Sequence, residues 1–300
     1  MTEQKPKARR ARRAGVIDGT EMEVLQINEN PDIAGKCVGT IAMITRDNVS
    51  AQTAISWLMT DMSFCAPGEY IKRYIVQGNV LVFQRNDCIA RMDGDWILFI
   101  DSDMVWQPSD IKTIVETRDK FDLDIVGGLC FQRGSPHQPT LYVEGNKAAM
   151  PEVDANWSGY TFMEDWPEDT AVEVDATGMA FCLVHKRVFD RILRQNTGEG
   201  FPPLEVRNAM APPPFFLWDG VLGEDFRFCR DAKAAGCQIF VDTAVKIGHV
   251  GQQVITEETF LRELAFRRDD EQKFRELQLA SVGHKALTRE KAREKLGVTW

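Results

Sequence analysis

The stretch that most limits what this chain can become is Trp96-Ile97-Leu98-Phe99-Ile100-Asp101-Ser102-Asp103-Met104-Val105-Trp106. Its unbroken apolar run, Trp96 to Ile100, reads as a strand covered on both faces, as in the parallel sheet of an α/β protein. The run stops at two carboxylates, Asp101 and Asp103, spaced i and i+2, which an extended backbone sends to one side. Open α/β sheets hold their ligands just beyond the carboxyl ends of the strands. Two carboxylates meeting there repel unless a cation lies between them, and their oxygens suit Mg²⁺ or Mn²⁺. A surface turn rich in Asp is the plainer reading, but such turns seldom fuse to a wholly apolar run.

The flanking residues repeat the strand–helix alternation. Val38 to Ile44 reads as a first strand that ends in Thr45-Arg46-Asp47-Asn48. Ser50 can cap a helix from Ala51 to Met62, with Ile55, Leu58 and Met62 as its apolar stripe. A strand at Tyr70–Val76 and a helix at Asn79–Met92 come next. Pro108-Ser109-Asp110 opens a helix to about Lys120. The strand Asp124–Cys130 contains Gly127-Gly128, a sign that a ligand or another backbone comes close. Residues 134–172 read as an irregular acidic insertion over one sheet edge. Val172–Val184 reads as one strand carrying Asp175-Ala176-Thr177-Gly178, followed by a helix from His185 to about Gln195. The Gly- and Pro-punctuated residues 197–220 form a long loop of the functional kind, and its Phe215, Phe216 and Trp218 are either core anchors or a lid platform. A helix from Glu224 to Ala235 stops at Gly236, and a strand at Cys237–Val241 precedes Ile247-Gly248-His249-Val250-Gly251.

Charge and cysteine usage narrow the classes. Residues 1–13 hold six basic residues and one acid, while the rest holds 30 basic and 44 acidic residues, a net of −14. This organisation gives a basic arm over 1–35, expected to be disordered or loosely attached, a catalytic domain over 36–252 and a charged helical extension over 253–300. The arm, with Arg9 and Arg10, suits a polyanion; the body does not. Seven cysteines without a Cys-x-x-Cys pair read as reduced, buried thiols of an intracellular protein. No apolar run reaches the roughly 18 residues of a membrane span, so the expectation is a soluble cytoplasmic protein with no membrane partner. No glycine-rich dinucleotide or P-loop motif follows any strand.

Three separated positions carry chemistry: Asp101/Asp103, Glu224-Asp225 and His249. At a helix start the dipole favours the ionised form of Asp225, which suits a group accepting a proton. His249, between apolar residues and glycines, reads as structural unless carboxylates are waiting for a metal.

In this order the motifs resemble those of the GT-A glycosyltransferases over about residues 37–251. The resemblance rests on Gln84-Arg85-Asn86, Asp101-Ser102-Asp103, Asp175-Ala176-Thr177-Gly178, Gly223-Glu224-Asp225 and Gly248-His249. It implies a Rossmann-like α/β fold, with a mostly parallel central sheet between helices in one catalytic domain. It also implies a nucleoside-diphosphate sugar donor, UDP-linked, and a divalent metal, Mn²⁺ or Mg²⁺, held by Asp101, Asp103 and His249. Thr45, Arg46, Arg85, Asn86, Asp101, Ser102 and Gly178 would line the donor. Asp225, with Glu224 beside it, would be the catalytic base of a single inverting displacement by a hexosyltransferase. Compact members resemble bacteriophage enzymes that glycosylate hydroxymethylated pyrimidines in DNA, which in that case would act in the host cytoplasm. DNA is then the favoured acceptor, with Arg9 and Arg10 as tether and Trp218 as a stacking surface. A surface glycan or a protein is the alternative acceptor.

The rival enzyme class is a haloacid-dehalogenase-like phosphatase with Asp101 as nucleophile. That strand normally opens its domain, and about 60 residues of α/β pattern precede it here. A nucleotidyltransferase would use a glycine-rich basic loop after its first strand, and Thr45-Arg46-Asp47-Asn48 lacks glycine. A non-catalytic nucleic-acid-binding protein leaves the carboxylates unexplained.

Overall fold

The structure is a computed structural model that describes residues 23–26, 35–134, 137–145, 159–197, 215–218, 222–251, 254–261 and 268. In chain order its elements are β1 (Glu23–Gln26), β2 (Lys36–Thr45), α1 (Ala51–Met59), β3 (Glu69–Gln77), α2 (Leu81–Arg91), β4 (Trp96–Asp101), β5 (Met104–Val105), α3 (Asp110–Phe121) and β6 (Ile125–Leu129). Then follow β7 (Tyr142–Glu144), β8 (Tyr160–Phe162), β9 (Ala171–Glu173), β10 (Phe181–His185), α4 (Lys186–Thr197), α5 (Glu224–Ala234), β11 (Ile239–Lys246), β12 (Gly248–Val250) and β13 (Val254–Ile255).

Eight strands form the central sheet in the order β1-β3-β2-β4-β10-β6-β11-β9. β3, β2, β4, β6 and β11 run one way, while β1, β10 and β9 run against them. The sheet is therefore mixed and mostly parallel, the α/β arrangement that the resemblance implied. β4 lies at its centre, between β2 and β10. Trp96 to Ile100 are buried, because each side chain on either face meets one of two apolar layers. Burial of each large aliphatic or aromatic side chain of this kind contributes about 1.5–3 kcal/mol.

Several expectations are corrected. Glu23–Gln26 is an edge strand paired with β3, so the segment before residue 35 is not wholly detached. The body also continues past residue 252: β13 pairs with β12, and Ile255 and Phe260 enter the core. Beyond that, the helical extension lies almost entirely outside the described residues. Residues 134–172 are not uniformly irregular, since β7 and β8 pair with each other and β9 closes the sheet edge against β11. The single strand expected at Val172–Val184 is two, β9 and β10. Between them Asp175 is held by Lys233 and accepts a hydrogen bond from the Glu144 N–H at 2.7 Å.

Of the stripe expected on α1, Ile55 and Leu58 are exposed, while Met62 lies past the helix end at Met59 and packs partly buried against the core. Trp57 and polar groups dock this helix instead. Ser56 Oγ donates to the Trp106 carbonyl at 3.0 Å and accepts from its N–H at 3.1 Å, and Thr60 Oγ1 accepts from the Trp106 indole at 3.0 Å. The Gly127-Gly128 pair serves packing, not a ligand. A Cβ on Gly128 would lie 2.9 Å from Ile247, and one on Gly127 would lie 3.0 Å from Thr177. All seven cysteines are free thiols and five are buried. Among the described residues no helix is long and apolar enough to cross a membrane.

Candidate active site

β4 and the turn after it place the two aspartates differently. Asp101 is the last residue of β4, and its N–H donates to the Ala180 carbonyl at 2.9 Å. Asp103 lies beyond the strand, in the turn before β5, so the alternation that would send both carboxylates to one side ends between them. Asp101 Oδ1 faces Arg85 Nη2 at 3.5 Å. Asp103 Oδ2 lies 3.4 Å from His249 Nε2 and 3.1 Å from Arg133 Nη1. Among the described residues no three His, Cys, Asp or Glu side chains form a group that could hold a metal by themselves.

His249 reaches Asp103 because β12 pairs antiparallel with β5, putting His249 opposite Met104, and the Val250 N–H donates to the Asp103 carbonyl at 2.7 Å. His249 Nδ1 lies 2.8 Å from the carbonyl of Phe131. A carbonyl only accepts, so Nδ1 carries a proton and the Nε2 position is turned to Asp103. Burial pushes the Asp103 pKa up, but the His249 hydrogen bond and the charges of His249 and Arg133 outweigh it and leave the carboxyl below its ordinary value. Asp101 goes the other way: burial raises its pKa, and Arg85 offsets that only in part.

Arg85 is the hub of the site. It is buried on α2, pairs with Glu224 Oε1 at 2.5 Å as well as with Asp101, and its guanidinium lies 5.5 Å from the ring centre of Phe216. Its Nε is buried without a hydrogen-bond partner among the described residues. Burial disfavours its charge, yet Asp101, Glu224 and Asp225 together raise its pKa. Gln84 fixes this part of α2 by donating to the carbonyls of Thr45 and Val76 at 2.7 and 3.1 Å.

Asn86 has no capacity left for a nucleotide. Its Oδ1 accepts from the N–H groups of Phe215 and Phe216 at 2.8 and 3.1 Å, and its Nδ2 donates to the carbonyls of Val82 and Phe216, both at 2.9 Å. Its visible work is to anchor the aromatic segment. Phe215 and Phe216 are accordingly core residues, whereas Trp218 is 76% exposed.

Asp225 stands in the first turn of α5 behind Gly223, with Oδ1 accepting from the Phe226 N–H at 2.8 Å. The expected ionised form is corrected in direction. Burial and then Glu224 raise its pKa, more than Arg85 and the backbone N–H groups lower it. Gly178 lies beside it: a Cβ there would sit 3.9 Å from Asp225 Oδ2 and 3.4 Å from Thr140. Those are ordinary contacts, so packing alone does not demand glycine.

Thr45 is buried at the end of β2, donating to the Asn48 carbonyl at 2.8 Å, and Arg46 is exposed on the same loop. The Ser50 N–H donates to the Ser102 carbonyl at 3.1 Å, which ties that loop to the aspartate turn. Arg9 and Arg10 lie outside the described residues. The structure thus brings together Arg85, Asp101, Glu224 and Asp225 in one cluster, and Asp103 with His249 in another. Sequence reasoning missed Arg133 and the orienting Phe131 carbonyl. The signal was present, because Phe131-Gln132-Arg133 follows the carboxyl end of a buried strand just as Asp101 does.

Residues 66–191 match the family model described as Glycosyl transferase family 2. No curated protein matches the chain. Among solved structures, A197 from STIV is 17% identical with a TM-score of 0.43, over 75% of this chain and 91% of that one. GalNAc-T7 with UDP, GalNAc and Mn²⁺ is 10% identical with a TM-score of 0.46, over 91% of this chain and 55% of that one. The family match takes in the strands and helices that carry Arg85, Asp101, Asp103 and Gly178, and it supports a glycosyltransferase with a nucleotide-sugar donor.

Proposed function

We propose that this enzyme is a metal-dependent hexosyltransferase that moves a sugar from a UDP-linked donor, with inversion, onto a hydroxymethylated pyrimidine in DNA. The observation that carries the metal dependence is the His249–Asp103 pair. With Nδ1 donating to Phe131, His249 turns Nε2 toward a carboxylate oxygen 3.4 Å away. A ring nitrogen and a carboxylate oxygen turned to each other at that range share a proton or a cation, and both are metal-ligand atoms. Asp103 and His249 therefore fit a divalent metal as its protein ligands, with phosphate oxygens and water completing the set. When bound, such an ion supplies positive charge to the diphosphate leaving group. Asp101, turned toward Arg85, suits a donor hydroxyl better than a metal.

The rest of the chemistry lies in this chain's own groups. Asp225 takes the proton of the acceptor hydroxyl, and its raised pKa makes it a stronger base than an ordinary aspartate. Glu224 holds Arg85 and through it the charge balance under Asp225. Thr45, Arg46 and Ser102 border the nucleotide end, and Gly178 leaves room for the sugar beside the base. The catalytic domain takes in β1 at its edge and runs past residue 252 to Phe260, flanked by the rest of the arm and of the extension. Trp218 offers an exposed face for an unstacked base, and Arg9 and Arg10 supply charge for the DNA backbone.

Nucleotide release from a panel of nucleotide sugars, with Mn²⁺ or Mg²⁺ and with or without hydroxymethylated duplex DNA, tests this reading. Release that rises only with the modified DNA, with a matching mass gain on the base, is the expected result. Release indifferent to DNA transfers the acceptor to a glycan or protein. Asp103→Ala and His249→Ala should each abolish the metal requirement's saturable phase, and an unchanged metal titration removes that residue from the site.

A further inference from the structure

One oxygen of Asp103 serves two partners. Oδ2 lies 3.4 Å from His249 Nε2 and 3.1 Å from Arg133 Nη1. The two partners are governed by one short segment past β6: the Phe131 carbonyl orients His249, and Arg133 follows two residues later. The Arg133 side chain is 55% exposed, whereas Arg85 on the neighbouring aspartate is 3% exposed. Arg85 is thus a fixed charge and Arg133 a charge that can leave. We infer that Arg133 is a displaceable counter-cation for Asp103, which yields that carboxylate to the divalent metal and turns onto the donor's diphosphate.

This inference rests on the proposed metal-dependent transfer. Electrostatics gives the reason for the exchange. A guanidinium and a divalent ion on one carboxylate oxygen repel each other, so they compete for it. Once the metal is seated, Arg133 is a half-exposed cation beside it with a planar fork of donors suited to phosphate oxygens. In the transfer, the acceptor oxygen bonds to the anomeric carbon as the bond from that carbon to the phosphate oxygen breaks. The electron pair stays on the diphosphate, which gains one negative charge, while the acceptor proton goes to Asp225. The released guanidinium of Arg133 supplies one positive charge against that gain. It is a positioning residue for Asp103 in the empty enzyme and a diphosphate contact in the loaded one.

Mn²⁺ binding, followed through the electron paramagnetic resonance signal of the free ion, separates the two roles. It would be measured on the full chain as wild type, Arg133→Gln and Arg133→Lys, first with the metal alone and then with UDP or GDP. Without nucleotide, Arg133→Gln should bind Mn²⁺ about three- to fivefold tighter, the scale of a partly exposed ion pair, and Arg133→Lys should stay near wild type. With nucleotide, Arg133→Gln should bind the diphosphate several-fold more weakly. Mn²⁺ affinity that is unchanged or lower in Arg133→Gln overturns the competition. A tighter metal with unchanged nucleotide affinity overturns the transfer to the diphosphate. If the wild type binds Mn²⁺ neither alone nor with nucleotide, the metal reading itself fails. Mn²⁺ binding that is lost in Asp103→Ala yet indifferent to Arg133 leaves that reading standing and sinks only this one.

Discussion

Asp225 and Asp103 are both aspartates near cations, yet their proton affinities move in opposite directions, and the difference follows from what surrounds each. Asp103 has His249 and Arg133 on one oxygen and stays ionised more readily than usual, whereas burial and the adjacent Glu224 raise the Asp225 pKa. Replacing Asp225 with Asn should lower kcat by about 10²- to 10⁴-fold, the range of general acid–base catalysis, and leave donor binding unchanged. Wild-type turnover would remove it as the base. The sign of the pH dependence is also set. A base works ionised, so kcat/KM should fall as pH drops through a value above the ordinary aspartate pKa of 3.8. A pH profile flat down to the ordinary carboxylate range contradicts that environment. Asp101, Asp103 and His249 were legible in the sequence because a carboxylate ending a buried strand, or a histidine among glycines, breaks its local pattern. Arg133 carries only the weaker signal of its place past the carboxyl end of β6, because an arginine in a polar loop breaks no local pattern; pairing of β12 with β5 is what puts His249 and Arg133 around one oxygen.

At the scale of elements, the buried strands and most helices were readable because each carries its own signal: an unbroken apolar run, a cap such as Ser50, a stop such as Gly236 with φ +75°. What failed was information held between elements. The split of β9 from β10 lies in their partners, β11 for the one and β4 and β6 for the other, which no local pattern announces. α1 turns Trp57 inward and bonds Trp106 through Ser56 and Thr60, so the spacing of Ile55 and Leu58 pointed to an exposed face. Substituting Leu58→Glu should therefore change unfolding free energy by no more than about 0.5 kcal/mol, as at an exposed position. A loss of several kcal/mol in a urea titration would return that side chain to the core. Asn86 makes the contrasting case. Asn86→Ala removes three hydrogen bonds that hold Phe215 and Phe216 and should cost about 1–3 kcal/mol by the same measurement. Because Phe216 backs the Arg85 guanidinium, kcat/KM should fall with it. Unchanged stability would mean that aromatic packing alone anchors the segment.

For the molecule as a whole, the charge distribution poses the question that the fold leaves to experiment. A net charge of −14 over residues 14–300 repels a polyanion, and only the first thirteen residues, with six cations against one acid, oppose it. If DNA is the acceptor, the arm has to supply much of the long-range attraction, because the buried Arg85 is already paired with Glu224 and Asp101. Each phosphate neutralised releases counterions and adds about 0.9 to the slope of log K against log salt concentration. Deleting residues 1–13 should therefore weaken binding to hydroxymethylated duplex DNA and flatten that slope by up to about five, the contribution of six cations on six phosphates. Chemistry at the site does not need the arm, so nucleotide release onto a free hydroxymethylated nucleoside should continue in the truncated enzyme. The comparison of the two substrates gives the deletion its meaning. If the slope on DNA stays the same, the arm does not touch the backbone, and an acidic body without a tether argues for an uncharged acceptor, a glycan or a protein surface. If the slope collapses while nucleoside turnover persists, binding and catalysis reside in separate parts of one chain.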